Sequence, residues 1–260
     1  MKTLLTMGLV FCATALFTPA QDSRAASRPD FSAEYEALES EFGEAMGAYY
    51  APYEGVKTRE EAAKIKLDPD KNPQKLMAAK FEDLGRRARG TPTGLRCLMW
   101  RMQGLQGPES DELKAKSVAL LDELVADYLG LEELADMVGG LGYYVRSVPA
   151  EKLAAVLARI EKDAKSPAAR GSAMLLRASQ LFESPDAAKK AEGRKLFAQV
   201  QKDYADTPAA ARAKGQLYEA EHLQIDMTPE DITAKDENGV EFRLYDYRGK
   251  VTVVDFWGFW

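Results

Sequence analysis

Across residues 31–224 apolar side chains recur at steps of three and four, the spacing that places them on one face of an α-helix. Phe31, Tyr35, Leu38, Phe42, Met46 and Tyr49 form the first such stripe, and Pro52 and Gly55 close it. After a break at residues 69–73, several helices are predicted to start on a polar cap followed by proline. Proline fits the first turn because an N–H there would have no intrahelical partner. Asn72-Pro73 predicts a helix carrying Leu76, Phe81 and Leu84, and Thr91-Pro92 one carrying Leu95, Leu98, Met99 and Met102. Ser110-Asp111-Glu112 predicts another, with Leu113, Ser117, Leu120, Leu121, Leu124 and Tyr128 inward. Residues 131–144 predict a helix whose second half Gly139, Gly140 and Gly142 weaken. Pro149 leads one with Leu153, Val156, Leu157 and Ile160, and Ser166-Pro167 one with Met174, Leu175, Ala178, Leu181 and Phe182. Ser184-Pro185 predicts a longer helix with Ala188, Leu196, Val200 and Tyr204; Thr207-Pro208 predicts the last, with Ala211, Leu217 and Ala220 inward.

Near Ile225 the period changes from helical to alternating. Ile232-Thr233-Ala234-Lys235 is β-like, and Asp236-Glu237-Asn238-Gly239 is a hairpin turn signal. Val240, Phe242 and Leu244 then alternate with Glu241 and Arg243, as in a half-buried strand. Arg248-Gly249-Lys250 turns the chain into residues 251–256, apolar on both faces and so expected as a strand in the middle of a sheet.

The first twenty residues stand apart. Lys2 precedes an uncharged apolar run from Leu4 to Phe17, and Thr18-Pro19-Ala20 offers small residues for cleavage, the layout of a secretory signal. Cleavage is expected after Ala20, with Ala25 and Ala26 as alternatives. The chain is then exported to the periplasm or cell envelope, with no membrane span left after the signal is removed. Residues 21–30 are small and polar and predict a linker. Net charge is −6, which moves to −7 when Lys2 leaves with the signal. No basic face is visible, so nucleic acid is not an expected partner. Of the two cysteines, Cys12 leaves with the signal, so Cys97 has no internal disulfide partner. Among Leu95, Leu98, Met99 and Trp100 it is expected to be a buried, inert thiol. His222 is the one histidine, near a helix end, so neither a metal site nor a catalytic triad is supported. No glycine-rich phosphate loop is present, and no cofactor is expected.

Two resemblances sharpen the picture. The segment Lys202-Asp203-Tyr204-Ala205-Asp206-Thr207-Pro208, followed by an alanine-rich helix, resembles the second half of a tetratricopeptide-type repeat within residues 166–222. The period is not clean over residues 31–165, so an irregular helical-hairpin array is expected there. The segment Thr228-Pro229-Glu230-Asp231-Ile232-Thr233-Ala234-Lys235-Asp236-Glu237-Asn238-Gly239 resembles the opening hairpin of the TlpA/ResA group of exported thioredoxin-like (redoxin) proteins. Arg248-Gly249-Lys250-Val251 matches the group's [RK]-G-K-V, and Val253-Val254-Asp255-Phe256-Trp257-Gly258-Phe259-Trp260 matches the core strand leading to W-C-x-x-C.

The implied fold class is mainly α: a helical array over 31–224, then the first β-strands of an incomplete thioredoxin-like α/β domain over 225–260. The implied function is that of a cell-envelope thiol–disulfide oxidoreductase acting on protein thiols, disulfides or an envelope redox partner. By the resemblance Asp255 is the buried acid beneath the cysteine pair, and Trp257 and Trp260 contact substrate. The dithiol itself would follow Trp260, so the chain as written is expected to be inactive. A selenocysteine codon read as a stop at position 261, a truncation and a gene fragment are the explanations to separate. The alternative is a helical scaffold protein whose C-terminal stub carries no catalysis.

Overall fold

Local capping chemistry decides where the helices of this chain begin. In the computed structural model, which describes residues 29–105, 109–144 and 148–255, α1 spans Ser32–Tyr50, α2 Arg59–Ala62, α3 Pro73–Leu76 and α4 Ala78–Arg87. They are followed by α5 Pro92–Gln103, α6 Asp111–Asp127, α7 Leu134–Tyr144 and α8 Ala150–Asp163. The series ends with α9 Pro167–Phe182, α10 Ala187–Asp203 and α11 Pro208–His222. Two short strands follow, β1 Thr233–Lys235 and β2 Glu241–Arg243, so the chain is mainly α. Thr91 accepts a hydrogen bond from the Gly94 amide at 3.2 Å and Ser110 one from Leu113 at 3.1 Å, each satisfying an orphan donor of the first turn. Thr58 and Glu61 form a reciprocal capping box at the start of α2, a helix the apolar pattern did not predict.

Several boundaries differ from the sequence expectation. The helix led by Asn72-Pro73 is broken at Met77 into α3 and α4, and Leu76 is exposed. The long helix after Ser184-Pro185 starts later, because Asp186 rather than Ser184 takes the Ala188 and Lys189 amides, at 2.8 and 3.1 Å. On α11 the buried alanines are Ala209 and Ala213, and Ala211 faces out. The α7 glycines do not end the helix; Gly142 sits against Leu176 of α9, so small residues there permit close helix contact.

Three apolar clusters run along the array among the described residues. Tyr35 and Leu38 of α1 meet Phe81 and Leu84 of α4 and Cys97 and Trp100 of α5. There the Phe81 and Trp100 rings stack at 3.8 Å, and Phe42 meets Trp100 edge-on at 5.2 Å. The central cluster joins Leu98, Met102, Leu121, Leu124, Met137 and Leu157 across α5 to α8. The third joins Met174, Ala178, Phe197, Val200, Ala209 and Ala213, where α9, α10 and α11 pack as consecutive helical hairpins. The two strands pair antiparallel with Ala234 opposite Phe242, in the place the alternating pattern predicts. The expected third strand does not form over residues 251–255. That run is irregular, and Val251 and Val253 are 99% and 87% exposed. A strand needs a neighbour on at least one edge, and neither β1 nor β2 pairs with this segment.

Candidate functional site

The C-terminal hairpin is organised by carboxylates rather than by a core. Asp236 closes the turn: its Oδ1 accepts from the amides of Asn238 and Val240 at 2.9 and 2.8 Å, and Gly239 takes a φ of +79° that side chains disfavour. Asp231 clasps the strand ends together. Its Oδ1 accepts from the Tyr245 amide at 2.9 Å, and its Oδ2 accepts from Nε of Arg243 at 2.7 Å and also from Nη2. Burial pulls the Asp231 carboxyl upward, but the Tyr245 amide and the Arg243 guanidinium outweigh it and hold it below the usual carboxylate range. The Tyr245 hydroxyl donates to the Pro229 carbonyl at 2.8 Å, and the Arg248 guanidinium lies 3.5 Å over the Tyr245 ring. Tyr218 of α11 reaches this unit. Desolvation and a hydrogen bond to the Glu230 carboxylate both push its hydroxyl up.

The residues singled out from sequence are not gathered into one site. Asp255, expected to be buried, is exposed at the end of residues 251–255, because no layer of the described structure covers that run. Trp257 and Trp260 lie outside the described residues, as do the signal segment and residues 21–28 of the linker. The clasp residues Asp231, Arg243 and Tyr245 were missed as a unit. Their signal was the Pro229-Glu230-Asp231 triplet opening the hairpin, in which the acid caps a backbone amide fourteen residues on.

Other reactive groups are inert or isolated. Cys97 is fully buried, and desolvation pushes its thiol up to about 11, with Arg101 and Arg96 pulling the other way. His222 is exposed, with its ring 4.8 Å from that of Tyr218. Among the described residues no group of three or more His, Cys, Asp or Glu side chains is placed to hold a metal ion. Among them, too, no helix is long and apolar enough to cross a membrane. Comparison of the chain with known protein families, with curated proteins and with solved structures finds no match.

Proposed function

We propose that residues 225–260 open a thioredoxin-like domain of the TlpA/ResA kind, within an exported cell-envelope thiol–disulfide oxidoreductase whose helical array positions a protein partner. The observation that carries this reading is the hairpin: β1 and β2 pair in register around the Asp236–Gly239 turn, followed by the Arg248-Gly249-Lys250 turn and an extended apolar run. Sequence order and backbone geometry thus agree over the segment that carries the resemblance. In that group a thiolate attacks a substrate disulfide, and a second cysteine resolves the mixed disulfide. Asp255 would exchange a proton with the resolving thiol once a sheet covers it, and Trp257 and Trp260 would border the docking surface.

A second reading is a helical interaction protein without catalysis. It is favoured by the exposure of Asp255 and by the burial of Cys97, the single thiol among the described residues. The nucleotides after the Trp260 codon separate the two. An in-frame UGA followed by Gly-Pro-Cys, or a Cys-x-x-Cys, is expected, and unrelated sequence sinks the redox reading. In an insulin-reduction assay the 260-residue chain is expected to show no turnover above buffer.

A further inference from the structure

A groove of about 810 Å³ opens between the C-terminal end of α1, the start of α4 and the α5–α6 corner. Its size falls in the range of ligand-binding clefts. Its apolar wall is Met46, Tyr50, Trp100, Leu105 and Leu120. The charge around that wall runs against the charge of the molecule. The chain as a whole is −6, yet the groove is lined by three cations, Lys75, Arg101 and Lys116, and by one acid, Glu82. The acids that pair with those cations, Asp70, Glu123 and Glu112, are not among the lining residues.

The lysines are available to a ligand. Lys75–Asp70 and Lys116–Glu112 have side chains 66% and 83%, and 62% and 78%, exposed, the class of ion pair that water screens and that an incoming carboxylate can replace. Arg101 is different: half-buried and held by both oxygens of Glu123 at 3.1 and 2.9 Å, it is a fixed positive wall. Trp100 is only 7% exposed, and its indole N–H has no acceptor among the described residues. Buried donors are rarely left so. Fixed and mobile cations flanking an apolar floor match a chain that alternates carboxylates with apolar side chains.

We propose that this groove binds an extended acidic peptide segment of a partner protein, with its apolar side chains on the Tyr50–Trp100 wall and its carboxylates at Lys75, Arg101 and Lys116. The site lies outside the repeat-like hairpins of α8–α11 and contains no thiol, so it stands or falls independently of the redox reading. The test is fluorescence anisotropy with a fluorescein-labelled peptide alternating Asp or Glu with Leu or Phe, titrated with the full chain. Saturable binding is expected, weakening as salt rises, with no binding of the same peptide carrying Lys in place of its acids. The double variant Lys75→Glu/Lys116→Glu should weaken binding at least tenfold, and Tyr50→Ala severalfold, with unchanged helical circular dichroism. The remote variant Lys189→Glu/Lys195→Glu on α10 should leave it unchanged. No peptide binding, equal binding of the Lys peptide, or equal loss in the remote variant overturns the proposal. So does binding to phosphatidylglycerol vesicles with no binding of peptide, which would assign the groove to a lipid surface.

Discussion

Two glycines in neighbouring helices should answer the same substitution with opposite signs. Gly193 lies buried in α10 where it crosses α9, and Gly215 lies exposed in α11. A Cβ added at Gly193 would sit 2.6 Å from the Phe182 amide nitrogen, 2.8 Å from the Ala178 carbonyl oxygen and 2.9 Å from the Phe182 Cα. All three are backbone atoms, so no side-chain rotation can relieve the contact. α10 must move off α9 and loosen the packing of Phe197 and Val200 beneath it. Overpacking of this kind costs about 1–3 kcal/mol, against which alanine returns about 1 kcal/mol of helix propensity. Gly193→Ala is therefore expected to destabilise by about 1–2 kcal/mol. At Gly215 a Cβ meets nothing within 4 Å, so only the propensity gain remains and Gly215→Ala should stabilise. For a chain of this size 1 kcal/mol moves Tm by roughly 2–4 °C, so the two variants should separate clearly in thermal melts followed at 222 nm, with urea midpoints as a check. If Gly193→Ala raises Tm as Gly215→Ala does, α9 and α10 do not approach this closely and the helical-hairpin packing described above is wrong.

Two further outcomes follow from the titratable groups. Cys97, with its thiol pushed up to about 11 inside the Tyr35–Phe81–Trp100 cluster, should resist iodoacetamide at pH 8 in the folded chain and react once urea unfolds it. Peptide mapping separates it from Cys12, and labelling at the rate of a free thiol would refute its burial. Asp231 has a folded value below its unfolded one, so it supports the hairpin above the unfolded value, and that support is lost as pH falls through the folded value. Exchange protection of the Tyr245 amide should drop across this acid window in the native chain and stay low and flat in Asp231→Asn; an unchanged profile in the variant would count against the clasp.

The helices were legible because their signals are local. Asn72-Pro73, Thr91-Pro92, Ser166-Pro167 and Thr207-Pro208 each stand at the start of a helix, since a cap and a pre-set φ act within one turn whatever the rest of the chain does. What depended on a distant partner was less legible. Asp186 displaced Ser184 as the cap of α10 by being one turn better placed for two amides, and α11 turned Ala209 and Ala213 inward because Gly171 and α10 occupy the space beside them. The Phe81–Trp100 stack joins side chains nineteen residues apart, on helices whose apolar stripes gave no pairing between them. At the C-terminus the turn chemistry of Asp236 and Gly239 was readable. The Asp231 clasp was not, because its partners lie twelve and fourteen residues on.

The C-terminal segment breaks the agreement between local pattern and global packing that the helical array keeps. A two-stranded hairpin is marginal in water unless a further strand or a packed face supports it. Here the visible support is polar: the Asp231 clasp, the Asp236 turn and the Tyr218–Glu230 contact. Ile232, Val240, Phe242, Val251, Val253 and Val254 meanwhile all remain exposed. Alternating and doubly apolar runs of this kind are what a sheet buried by further layers requires, and exposed they form an unprotected edge. The exposure of Asp255 and of its neighbouring valines is therefore one observation, since whatever pairs with residues 251–254 also takes Asp255 out of water. A layer that covers this run would raise the carboxyl of Asp255 by desolvation and equip it for proton exchange, whereas without such a layer it stays an ordinary surface acid. The redox role proposed for Asp255 and the burial of Val253 thus rise or fall together, and amide protection at Val253 in any longer form of the chain reads out both.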